Sequence, residues 1–96
     1  MNASLTALAL LLCCSYTLSA QLRGVVTDME GEPLPFATIY IEGTTQGTVT
    51  NAEGLYELEL EAGEYRVVYT YVGYQDVDTL VRMSTDPLTL DIRLPE

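Results

Sequence analysis

The side chains able to do chemistry in this 96-residue chain form a short inventory. There is no His and no Lys, and the 2 cysteines, Cys13 and Cys14, sit inside an apolar N-terminal run. A hydrolytic zinc centre needs about three protein ligands, usually His or Cys with a carboxylate. Beyond Ala20 only carboxylates remain, and these alone make poor zinc sites. Nucleophilic catalysis fares no better, because Ser84 is the one serine after Ala20 and no His or Lys exists to take its proton. No catalytic residue, metal site or cofactor is therefore expected, and the chain reads as a non-enzyme.

Binding chemistry has more to work with. Asn51-Ala52-Glu53-Gly54, with Asp28 and Glu30 in another turn, offers oxygen ligands of the kind Ca²⁺ collects in sets of about six to eight. The spacing does not match the helix-loop-helix calcium loop, and a turn in which Asn bonds its own backbone and Gly takes positive φ explains the same residues. Tyr65, Tyr69 and Tyr71 fall on one side of a strand-like segment with Val67 and form a candidate ligand platform on which sugar rings would stack. The competing reading places these rings in the core with hydroxyls at the rim. Glu53, Glu57, Glu59, Glu61 and Glu64 make an acidic row, read as a solvated sheet face, with a docking face for a basic partner or a guard against edge pairing as the functional alternatives. Asp78-Thr79-Leu80 matches a three-residue O-glycosylation pattern that occurs often by chance.

The elements that must position these groups are strands. Apolar residues alternate with a period of two throughout the region after Ala20, and no helical period appears. Strand segments are expected at about Leu22–Thr27, Phe36–Glu42, Thr48–Thr50, Leu55–Leu60, Glu64–Val72, Tyr74–Arg82 and Leu88–Leu94. Ala37, Ile39 and Ile41 share one face, as do Tyr56, Leu58 and Leu60, with Glu57 and Glu59 opposite them. In the last segment Leu88, Leu90, Ile92 and Leu94 are expected to face inward. Gly31, Gly54, Gly63 and Gly73 mark the structural turns, where glycine accepts backbone conformations costly for other residues. Seven short strands with turn signals at this spacing predict an all-β sandwich.

The run from Gly24 to Gly43, GVVTDMEGEPLPFATIYIEG, followed by Gly47-Thr48, Asn51-Ala-Glu-Gly54-Leu-Tyr56, Gly63-Glu-Tyr65 and Tyr71-Val-Gly73-Tyr74, resembles the carboxypeptidase regulatory-like, or transthyretin-like, domain. The resemblance implies a seven-stranded prealbumin-like β-sandwich over residues 21–96. Such domains occur on the N-terminal side of SusC-like TonB-dependent transporters and related outer-membrane proteins of the Bacteroidetes, and behind the catalytic domain of some zinc carboxypeptidases. The resemblance is specific for fold and poor for function, because the module is attached to many different machines.

Residues 1–20 stand apart. Leu5–Cys14 is apolar and is followed by Ser15–Ala20 ending in small residues, the layout of a cleavable signal peptide cut before Gln21. The run is shorter than the roughly 20 apolar residues that cross a bilayer. All 14 acidic residues and all 4 arginines lie beyond it, so residues 21–96 carry the whole formal charge of −10. That charge excludes nucleic acid, whose phosphates demand clustered Lys and Arg, and direct adhesion to anionic lipid. A domain this small gains only about 3–5 kcal/mol of net stability from its core, and docking to something larger would add to it.

The expectation from residues and resemblance together is an exported, non-enzymatic accessory module of the periplasm or outer membrane, working with a protein partner or an attached domain. Two alternatives stand beside it. One is a carbohydrate- or peptide-binding sandwich using the tyrosine row, and the other is an N-terminal fragment of a longer TonB-dependent-transporter-like protein.

Overall fold

The computed structural model describes residues 18–96. Residues 1–17, most of the expected signal segment, lie outside the described residues. The described chain is all β: β1 (Ser19–Asp28), β2 (Thr38–Ile41), β3 (Gly47–Val49), β4 (Leu55–Glu61), β5 (Gly63–Thr70), β6 (Val77–Met83), β7 (Leu88–Thr89) and β8 (Ile92–Leu94). They form two four-stranded sheets. In the first, β1 lies between antiparallel β4 and the parallel pair β7 and β8. In the second the order is β3-β2-β5-β6, antiparallel throughout.

The two-residue alternation fixes which side each strand buries. β4 alternates strictly, with Tyr56, Leu58 and Leu60 inward and Leu55, Glu57, Glu59 and Glu61 outward. β2 buries Ile39 and Ile41, continuing Ala37, and leaves Thr38 and Tyr40 outside. Between the sheets Leu22, Val26, Ile39, Ile41, Leu60, Val67, Tyr69 and Leu94 are sealed from solvent. The chain passes from the first sheet to the second at Ala62, the single residue between β4 and β5. The Tyr65 hydroxyl closes that corner by donating to the carbonyl of Glu61 at 2.8 Å.

Two details depart from the sequence expectation. β1 begins at Ser19, ahead of the expected mature start at Gln21, because Ser19 and Ala20 continue the ladder opposite Glu61 and Leu60 and Ala20 is buried. The segment Leu88–Leu94 is two short strands, giving eight elements where seven were expected. The ladder is interrupted where the chain crowds Gly24: a Cβ there would overlap the Leu90 carbonyl. At the interruption the Leu90 amide donates to the Arg23 carbonyl at 2.7 Å, and the Val25 amide donates to Asp91 Oδ1 at 3.0 Å instead of to a backbone carbonyl. The expected inward face is nonetheless kept, with Leu88 beside Leu22 and Ile92 beside Val26, but burial along it is graded. Leu94 is buried, Leu90 and Ile92 are half-buried, and Leu88 is 38% exposed.

Candidate functional site

The turns hold their own polar groups. Asp28 Oδ1 accepts from the amides of Glu30 and Glu32, each at 2.9 Å, and Asn51 Oδ1 accepts from Glu53 and Leu55, each at 3.0 Å. Asp28 and Asn51, two of the four residues considered for calcium, thus each turn one side-chain oxygen onto neighbouring backbone. Among the described residues no three His, Cys, Asp or Glu side chains are grouped to hold a metal ion. Of the turn glycines, Gly31, Gly54, Gly63 and Gly73 have φ of 87°, 77°, 155° and 86°. Gly54 is also confined in space, since a Cβ there would sit 2.7 Å from the Val26 carbonyl and 2.9 Å from Pro33 Cβ.

The tyrosines are not laid out as an exposed row. Tyr69 is fully buried, while Tyr65 and Tyr71 are half-buried against the core. Tyr69 packs edge-on against Tyr56, with ring centroids 5.6 Å apart and hydroxyls 2.8 Å apart. The Tyr56 hydroxyl also donates to the Leu90 carbonyl at 2.6 Å, tying the break in the last strand to the second sheet. Burial pushes both phenols above the ordinary tyrosine value, Tyr56 further because Tyr69 and Asp91 add to it. For Tyr69 the bond to Tyr56 offsets part of the rise. These are structural groups, because every face of Tyr69 is covered and no surface reaches it.

Thr79 of the glycosylation pattern pairs with Val67 on the inward side of β6 and is half-buried there. Glu57, Glu59 and Glu61 stand on the outer face of the first sheet opposite Arg23, Gln21 and Ser19. Glu64 instead belongs to the second sheet, where it pairs with Arg82 at 3.0 Å.

Sequence reasoning missed the segment around Phe36. It assigns Phe36 to a strand, whereas the structure places it before β2 at φ 64°, the one described non-glycine residue with positive φ, with 72% of its surface exposed. Thr50, buried at the start of the following turn, fixes this conformation from both sides. Its hydroxyl donates to the Leu34 carbonyl at 2.6 Å and accepts from the Ala37 amide at 2.8 Å. Its backbone carbonyl accepts from the Phe36 amide at 3.1 Å. With Pro35, Thr38, Thr70, Tyr71 and Val72, Phe36 lines an open depression of about 480 Å³ at one end of the second sheet. No feature of the sequence marks a phenylalanine for positive φ.

Comparison with known proteins is consistent with this architecture. The family model described as CarboxypepD_reg-like domain matches residues 22–96. A TonB-dependent receptor of Formosa agariphila is 36% identical over 72 residues, which is 75% of this chain and 7% of that protein. The TonB-dependent receptor SusC of Bacteroides thetaiotaomicron is 38% identical over 53 residues, 55% of this chain and 5% of that protein. The chain thus spans less than a tenth of the length of these relatives. Among solved structures, catechol 1,2-dioxygenase from an Acinetobacter species superposes with a TM-score of 0.69 at 11% identity, covering 83% of this chain and 53% of that one. A chain of a type II cohesin-X-dockerin complex from Acetivibrio cellulolyticus superposes with a TM-score of 0.64 at 23% identity, covering 76% and 52%. At such identities these likenesses speak for the fold alone.

Proposed function

The chain belongs to the carboxypeptidase regulatory-like domain family, and from that premise we propose that it serves as a non-enzymatic module of a TonB-dependent-receptor-like outer-membrane protein, placed N-terminal to the rest. The observation that carries this reading is the identity of the relatives: the matched proteins are TonB-dependent receptors in which a region like this one is a small fraction of the length. The residue inventory agrees with it, because the sandwich holds no His, no Lys and, after Ala20, no Cys. The apolar N-terminal run, read as an export signal, supplies the route to the envelope. In this reading the domain works through contacts with protein, and its compact core is a platform for those contacts.

The test is an immunoblot of fractionated native-host cells with an antibody raised against residues 21–96. Reactivity in the outer-membrane fraction at a mass many times that of 96 residues is the expected result. A small band confined to the periplasm would favour a separate accessory module instead. Reactivity in the cytosol alone would refute both.

A further inference from the structure

The two outer faces of the sandwich differ in chemistry. On the first sheet exposed Leu55 and half-buried Val25 are hemmed by Glu57, Asp91 and Arg23, and Glu59 and Glu61 continue the row. The second sheet exposes Val49, Tyr40 and Leu80 on its outer side, around Val68, which is buried beneath its neighbours, with Thr38 and Thr70 between them and Phe36 and Val72 at the end. Val72 is 93% exposed and Phe36 72%. The charges on this face are paired but leave an acidic excess: Arg66 is shared between Asp78 at 2.9 Å and Glu42 at 3.4 Å, and Arg82 pairs with Glu64 at 3.0 Å, three carboxylates against two guanidiniums. An exposed apolar patch bordered by satisfied ion pairs is the composition of a protein contact surface.

Phe36 supplies an independent observation. A bulky side chain at positive φ is a strained arrangement that persists only where its surroundings over-determine it. Here buried Thr50 does so, and the result is an aromatic ring held out in solvent, where it gains little from its own fold. Aromatic side chains, phenylalanine among them, are enriched in protein interfaces.

We propose that the outer face of the β3-β2-β5-β6 sheet, anchored by Phe36, docks this module onto a protein whose contact surface is apolar at its centre and basic at its rim. Charge selects that occupant. The module has formal charge −10, so a second copy meets like charge, whereas a ring of Lys and Arg around an apolar centre meets Glu42, Asp78 and Glu64, three carboxylates that share two guanidiniums. The inference rests on the envelope-module reading and names the surface through which it acts.

The experiment places the photoreactive analogue p-benzoylphenylalanine at position 36, 80 or 59 of the full-length protein in the native host. Cells are irradiated, the outer-membrane fraction is isolated and cross-linked peptides are identified. Positions 36 and 80 should give adducts at least about tenfold stronger than position 59, to one protein region whose flanking residues are Lys or Arg. A Phe36→Gly change should cut the position-80 adduct about tenfold while leaving the thermal melt of the module in place, which separates docking from folding. Comparable adducts from position 59, adducts only to a second copy, or protein present in the outer membrane without adducts at 36 and 80 would each overturn the docking face and leave the functional reading standing. Absence of the protein from the envelope would overturn both.

Discussion

Replacing Thr50 by valine tests the device that shapes the docking face. Valine keeps the volume and branching of threonine but removes the hydroxyl, which donates to Leu34 O at 2.6 Å and accepts from Ala37 N at 2.8 Å. Leu34 and Ala37 are themselves buried, so water does not replace the lost partner. Each buried group left unsatisfied costs about 1–3 kcal/mol, hence about 2–6 kcal/mol for the two together. That equals or exceeds the roughly 3–5 kcal/mol expected of a domain this small, so Thr50→Val should be largely unfolded or melt at much lower urea. Thr50→Ser retains both hydrogen bonds and loses one methyl, at about 1 kcal/mol. Urea titrations of residues 21–96 followed by circular dichroism provide the comparison. Equal midpoints for the valine and serine variants would refute the role given to the hydroxyl.

Three further outcomes follow from the geometry. Phe36→Gly should stay within about 1 kcal/mol of the parent in the same titration, because relief of positive φ, about 1–2 kcal/mol, offsets the small buried part of the ring; a loss above about 3 kcal/mol would mean that Phe36 is a core residue. Gly54→Ala should destabilise more than Gly73→Ala, since both sit at positive φ but only at Gly54 would the new Cβ press on Val26 O and Pro33; urea midpoints in the reverse order would contradict the confinement of Gly54. Stability should fall as pH rises past about 10, because the raised tyrosine values of Tyr56 and Tyr69 leave the folded state holding protons the unfolded chain has released; a Tyr56→Phe,Tyr69→Phe double variant should show a shallower alkaline loss, and an identical slope would count against the buried pair as its source.

Much of the fold was legible because alternation survives wherever one face of a strand is wet. β4, with Glu57 and Glu59 against Leu58 and Leu60, reads correctly residue by residue, as does the Ala37-Ile39-Ile41 face leading through β2. Alternation also gives the core-facing side of Leu88–Leu94, but not the break within that segment or the partial exposure of Leu88. The break depends on how closely Leu90 approaches Gly24, and on Asp91 taking a place in the ladder. The candidate site was less legible for a related reason. A strand pattern cannot distinguish a tyrosine row facing solvent from one facing the opposite sheet, and Tyr69 is buried only because Tyr56 arrives from the other sheet to meet it. Phe36 carries no local signal, since its conformation is imposed by Thr50 from 14 positions further along the chain.

In the proposed function, residues 21–96 reach the outer membrane as a protein-docking module of a receptor-like protein. Quantitative mass spectrometry of separated native-host outer membranes tests it most directly, using a protease that cuts after acidic residues. Peptides from this region should be enriched in the outer membrane, with an N-terminal peptide running from Gln21 to Asp28. Peptides retaining Met1, recovered from the cytosol and absent from the outer membrane, would contradict it.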